Sequence, residues 1–285
     1  MLDDFTQERW RSLQDMQREY DRERDRDDDL KAETAYLRVR MADSYIRNGR
    51  VARAISEYKR ALKLDKTNGY YQTRLADAYV VAEEITLAMA AYQKAIEMAP
   101  GLAEPHSSLG ELYLRYGMFS QALAQYRQAV ALEGERGFYR YQLGDTLERM
   151  GLFGEAMNEL QSATLLEPKI AFYRFRISTL CQHLNLLDEA YEHLLVATGL
   201  APFDDYYLVR LASMAIATGR IETGIKNLRR AVTLRPHNEA YQYLLVAALT
   251  RYGREPLPIK FDLGPYDEEF YQRRRAEWEL HEHVV

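Results

Sequence analysis

Ser178, Cys181 and His183 are the nearest this sequence comes to a nucleophile beside a base. Close together on one predicted helix, they have the residue types of a thiol activated by an imidazole. Cys181 is also the only cysteine in 285 residues, so no internal disulfide can form, and a reducing, cytoplasmic setting is expected. His281-Glu282-His283 offers two imidazoles to a metal, but a metal site needs further ligands that the sequence does not supply nearby. No phosphate loop, nucleophile elbow or zinc-ligand spacing occurs elsewhere. The chain is therefore expected to be non-catalytic, with no cofactor and no metal.

A different chemistry lies in side chains that recur at one interval. Asp43, Asp77, Glu111 and Asp145 stand 34 residues apart. Tyr36, Tyr70, Phe138, Phe172 and Tyr206 share the same period, as do Tyr141 and Phe175. What positions them is a unit repeated six times without insertion or deletion, over 35–68, 69–102, 103–136, 137–170, 171–204 and 205–238. Numbering each unit 1 to 34, place 27 is Ala61, Ala95, Ala129, Ala163, Ala197 and Ala231. Places 8 and 20 are also held by Ala, Gly or Ser, and small side chains there let two helices approach closely. Place 15 is Gly49, Glu83, Gly117, Gly151, Asn185 and Gly219, mostly residues that tolerate the left-handed conformation ending a helix. Place 32 is proline in four units, which stops a second helix. Cys181 falls at place 11 and Ser178 at place 8, both packing positions, so the thiol reads as inert and buried.

These columns resemble the tetratricopeptide repeat, whose small-residue, aromatic, Ala and Pro pattern has this period. The resemblance implies an all-α fold: a right-handed superhelical solenoid of six full helix–turn–helix repeats. It covers 35–253, with 239–253 as a seventh first-helix. Place 4, often Trp in the family, is Arg38, Gln72, His106, Arg140, Arg174 and Leu208, and an aromatic stands at place 3 instead (Tyr71, Tyr139, Tyr173, Tyr207, Tyr241).

The resemblance also implies a concave groove lined by places 2, 5, 9, 12 and 13. Place 9 supplies Asp43, Asp77, Glu111 and Asp145, either an acidic strip for basic or amide-rich partner segments or one half of local pairs with Arg47, Arg115 and Arg149 four residues on. Phe138, Tyr141, Phe172 and Phe175 would make an apolar platform, since aromatic anchors carry binding energy, although burial against neighbouring repeats accounts for part of the excess. With Tyr36 and Tyr70 these are the candidate partner-binding residues. The Lys and Asn pair that the family's chaperone-tail subclass uses at places 5 and 9 is missing, so capture of a partner's C-terminal carboxylate is not expected.

Two columns divide the array. Place 11 is tyrosine in the first three repeats (Tyr45, Tyr79, Tyr113) and then Leu147, Cys181 and Ala215; place 24 changes from Tyr58, Tyr92 and Tyr126 to Leu160, Leu194 and Leu228. With Gly134 and Gly137 at the boundary, either a softer joint or drift within one rigid array follows.

The flanks complete the organisation. Residues 1–34 form a charged flank with 12 acids against 7 bases, which accounts for the whole net charge of -5. Trp10, Leu13, Met16 and Tyr20 recur there at helical spacing. The neutral remainder lacks a basic stripe, so nucleic acid is not expected as a partner. No apolar run is long enough to span a bilayer. Residues 254–285 read as a Pro-containing linker and a capping helix from Asp267 to about His281. The expected function is a non-catalytic protein–protein interaction scaffold or assembly factor binding a partner segment in its groove. The alternative is a structural subunit of a larger assembly, homo-oligomers included, that uses its convex face and flanks.

Overall fold

Each first helix ends where its place-15 residue turns left-handed. In the computed structural model, which describes residues 29–252, Gly49, Gly117, Gly151 and Gly219 have φ of 69°, 71°, 76° and 78°, while Glu83 and Asn185 have 60° and 59°. The next N–H then returns to the carbonyl of place 11: Arg50 to Tyr45 at 2.8 Å, Glu84 to Tyr79 at 2.9 Å, Arg220 to Ala215 at 2.7 Å. That bond closes a helix through a left-handed residue and satisfies a carbonyl otherwise left open. At the other end of the repeat, Asn68, Asp204 and Asn238 accept N–H groups of the following first turn, so these side chains fix where the next first helix begins.

All regular structure among the described residues is helical, and it divides into two compact units, one ending at Leu166 and the other beginning at Glu167. The first unit holds α1 (29–47), α2 (Val51–Leu64), α3 (Gly69–Val81), α4 (Ile85–Met98), α5 (Ala103–Arg115), α6 (Phe119–Leu132), α7 (Gly137–Arg149) and α8 (Phe153–Leu166). The second holds α9 (Ala171–His183), α10 (Leu187–Leu200), α11 (Asp205–Ala217), α12 (Ile221–Leu234) and α13 (Glu239–Arg251). Within each unit a first helix packs along its own second helix, which then packs on the next first helix. This is the stacked-pair architecture of a helical solenoid, and α13 is the seventh first helix.

The small-residue columns set the spacing of each pair. All six place-27 alanines are fully buried. A Cβ on Gly110 would stand 3.0 Å from the Tyr126 ring, and one on Gly224 only 2.5 Å from Ile216. Larger side chains at these places would force the axes beyond the roughly 8–10 Å of ordinary helix packing.

The division of the chain falls one repeat later than the change from tyrosine to aliphatic packing suggests. Around Gly134–Gly137 side chains take over what proline does elsewhere. Arg140 Nε donates to the Gly134 carbonyl at 2.7 Å, and the Arg136 guanidinium lies 5.0 Å from the centre of the Tyr139 ring. The buried Ser107 hydroxyl donates to Gln142 Oε1 at 2.5 Å, tying α5 to α7 across the same turn. The turn read as either a softer joint or drift within one rigid array is bonded in this way and lies inside the first unit.

The amphipathic segment around Trp10, the linker from 254 and the helix expected from Asp267 lie outside the described residues. Among the described residues no helix is long and apolar enough to cross a membrane.

Glu83 tests the turn. Its backbone sits in a conformation that costs a non-glycine residue about 1–2 kcal/mol, partly offset by the greater unfolded-state freedom of glycine. Glu83→Gly should raise the unfolding free energy by about 0.5–1 kcal/mol in urea titrations. No gain would show that Glu83 makes a compensating contact.

Candidate binding face of the first helices

Place 4 faces place 23 of the same repeat, and the departure from tryptophan is explained there. Arg38 Nη1 donates to Glu57 at 2.7 Å, His106 Nδ1 lies 2.8 Å from Gln125 Oε1, and Arg140 Nη1 donates to Glu159 at 3.2 Å. In the second unit Arg174 Nη1 lies 3.5 Å from His193 Nδ1. In repeat 2, Gln72 reaches the backbone carbonyl of Ala91 at 3.4 Å. A polar bridge between first and second helix thus stands where the family places a large ring. Sequence reading missed it because each column was considered alone; the polar residue at place 23 wherever place 4 is charged was the available signal.

The place-9 carboxylates are engaged from inside their own repeats. Tyr58 donates its hydroxyl to Asp43 at 2.5 Å, and Tyr92 donates to Asp77 at 2.6 Å. Burial, and then the neighbouring carboxylate, push both phenols above their ordinary range, so they stay protonated donors. Arg74 spans the two acids, 3.3 Å from Asp43 and 3.2 Å from Asp77. Burial alone would lower its guanidinium, but Asp77 and Asp43 outweigh that and keep it charged. Where place 24 becomes Leu160, Asp145 is instead held by Arg149 at 2.9 Å and is 3% exposed. Glu111 is the carboxylate nearest to an open surface charge, 3.4 Å from an exposed Arg115. A place-24 tyrosine thus binds the place-9 acid in the first two repeats, and the acid outlasts the change to leucine by one repeat, as Asp145.

The candidate aromatics separate by column. Place 5 is buried in all six repeats: Val39, Thr73, Ser107, Tyr141, Phe175 and Val209 are each at most 5% exposed. Place 2 reaches solvent, with Tyr36 and Tyr70 at 50% and 44% exposed and Phe138, Phe172 and Tyr206 half-buried. In the first unit Phe138 lies 6.4 Å from Tyr141. In the second, Phe175 is the buried base of a cluster, 6.3 Å from Phe172, 5.4 Å from Tyr206 and 5.3 Å from Tyr207. The expected four-ring platform therefore comprises two sets, one in each unit, each with an outer place-2 ring over a buried place-5 ring. Arg40 lies over the Tyr36 ring at 6.0 Å, so that ring carries a cation beside it.

Ser178, Cys181 and His183 do not converge. Ser178 and Cys181 are fully buried while His183 is exposed, and burial pushes the Cys181 thiol up to about 11.

The tetratricopeptide repeat pattern matches residues 39–103, 139–170 and 206–238. No curated protein matches by sequence. Among solved structures the chain is similar to YrrB, described as a tetratricopeptide protein with an unusual peptide-binding site, at 21% identity over 66% of this chain and 96% of that one (TM-score 0.53). It is similar to PilF of Pseudomonas aeruginosa at 17% identity over 75% of this chain and 97% of that one (TM-score 0.63). It also resembles the type IV pilus biogenesis factor PilW at 18% identity, over 74% of this chain and 98% of that one (TM-score 0.63).

Two measurements probe these bridges. Tyr92→Phe removes a donor to a carboxylate and should lower the unfolding free energy by about 1.5–3 kcal/mol, read by denaturant titration. At His193, burial and then Arg174 depress the imidazole below its ordinary 6.5, more than Glu189 and Glu192 raise it. The unfolded chain thus binds the proton more readily. His193's contribution is present above about pH 6.5 and is lost as pH falls toward its lower folded value. His193→Gln, the pairing already used by His106 and Gln125, should flatten the fall in urea midpoint between pH 7.5 and 5.5. An unchanged slope would assign that fall to other groups.

Proposed function

Because the chain belongs to the tetratricopeptide repeat family, we propose that it is a non-catalytic scaffold holding a segment of a protein partner against its first-helix face. The observation that carries this reading is the half-exposed place-2 aromatic column above a buried place-5 layer. A ring on a rigid apolar base offers contact area at little conformational cost, the usual character of an interface anchor. In the first unit the anchors are Tyr36 and Tyr70; in the second they are Phe172 and Tyr206 over Phe175. The partner is a peptide segment whose apolar or aromatic side chains meet these rings; a peptide-binding site is also what one structural neighbour is described as having. A basic residue of that segment suits Glu111, because Asp43 and Asp77 already accept from tyrosines and share Arg74.

A second reading, a structural subunit of a larger assembly, is favoured by the outer face of α10. Places 25 and 26 are polar or charged in the other five repeats, yet here they are Leu195 and Val196, 44% and 45% exposed.

The two separate by site-specific photo-crosslinking in cells, with the reactive residue placed at Tyr36, Tyr70 or Leu195. Crosslinks at the tyrosines, and about tenfold weaker partner binding in Tyr36→Ser/Tyr70→Ser, support the scaffold. Crosslinks confined to Leu195, with binding unchanged in that double variant, support the structural subunit.

A further inference from the structure

The arginine column at place 6 meets aspartates in the first unit and a different setting in the second. Arg74 stands three residues before Asp77 and 31 after Asp43, and its guanidinium reaches both carboxylates, at 3.2 and 3.3 Å. The same two offsets from Arg210 lead to Ser213 and Thr179, which are neutral. Both hydroxyls donate within their own helices, to the Val209 carbonyl at 3.0 Å and the Phe175 carbonyl at 2.9 Å. Among the described residues Arg210 has one hydrogen bond, from Nη2 to Gln182 Oε1 at 2.9 Å, and no carboxylate. A guanidinium is a planar fork of five N–H donors, so capacity remains for an incoming acceptor.

The surroundings favour an anion. No acid stands at places 2, 5, 6, 9, 12 or 13 of α9, α11 or α13, whereas Asp43, Asp77, Glu111 and Asp145 hold place 9 in the first unit. Arg176, in the same column one repeat before Arg210, is only 8% exposed. Arg210 is half-buried and three residues from the exposed Ser213, so it is the place-6 guanidinium of this unit that a ligand can reach.

Resting on the groove reading above, we propose that Arg210 is a carboxylate subsite, taking an aspartate or glutamate side chain of the partner segment held by the second unit. The chain itself shows what this column accepts, because two aspartates fill the equivalent guanidinium of Arg74. A carboxylate can accept from two N–H groups of the fork at once, and such charge-assisted bonds are roughly twice as strong as neutral ones. Tyr206, the half-buried place-2 ring of the same helix, lies four residues before Arg210, a rise of about 6 Å. Two residues of extended chain span about the same distance and point their side chains to one side. The partner segment therefore carries an acid two residues from an aromatic or large apolar side chain. Thr179 and Ser213 keep the subsite open, since an aspartate at either place would fill Arg210 from within.

Short random peptides, displayed as internal inserts and selected on the full-length chain, test this. Such inserts have no free C-terminus, so every carboxylate they offer is a side chain. Selected sequences should be enriched in Asp or Glu two residues from an aromatic. A selected peptide, synthesised with acetylated and amidated ends, should bind about tenfold more weakly when its acid is replaced by the amide. Arg210→Gln should produce the same loss and make the acid and amide peptides bind alike. Thr179→Asp keeps the guanidinium and supplies it with an internal acid; it too should weaken the acid peptide about tenfold, with a urea midpoint no lower than that of the unmodified chain. An acid preference that persists in both variants would assign the cation elsewhere and overturn the proposal. Selected aromatic peptides that are lost in Tyr206→Ser but show no acid preference would remove the carboxylate subsite and leave the groove reading standing. Selection of no peptide that responds to Tyr206→Ser or to Tyr36→Ser/Tyr70→Ser would overturn the groove reading, and this proposal with it.

Discussion

The closeness of the two helices in each pair is the constraint on which everything else rests. Alanines at places 20 and 27 and small residues at place 8 let the backbones approach until a Cβ on Gly110 would press on the Tyr126 ring. At that spacing an arginine at place 4 reaches a carboxylate at place 23, and a tyrosine at place 24 reaches an aspartate at place 9. A larger residue in any of these columns would pull both bridges apart together, because they share one interhelical gap.

The sequence revealed the fold in those places where a single residue type answers a single demand. The left-handed turn falls at place 15 in all six repeats, Glu83 and Asn185 included, because backbone geometry there is nearly independent of surroundings. The site was harder to read, because its side chains serve pairs of columns. Asp43 and Asp77 read as an acidic strip until Tyr58 and Tyr92 are seen to donate to them. Tyr141 and Phe175 read as platform residues, yet place 5 lies against the neighbouring layers of its own unit, leaving place 2 to meet solvent. The unit boundary at Leu166 was not legible, since composition changes at a different point and the Gly134 turn is secured by Arg140, six residues away.

The replacement of a large ring by a polar bridge alters what holds a pair together. Tryptophan at place 4 would stabilise through buried area, with little dependence on pH or direction. A guanidinium on a carboxylate is directional, and a guanidinium beside His193 is sensitive to protonation. The first unit carries Arg–Glu and Tyr–Asp bridges inside its helix pairs, while the second pairs Arg174 with His193 and places its Tyr–Asp bond between repeats, from Tyr241 to Asp205 at 2.8 Å.

The place-4 to place-23 bridge is closed within one 34-residue block, both partners travelling on the same stretch of chain. Duplication or exchange of a whole block by recombination would therefore carry a complete polar pair with it. The Arg74 bridge to Asp43 and the Ser107 bond to Gln142 instead cross from one block to the next. Arg210 on Gln182 and Tyr241 on Asp205 do the same further along, and such seams are where a shuffled array would meet mismatched neighbours. The order of the blocks is thereby held by a few inter-block bonds, while the interior of each block remains portable.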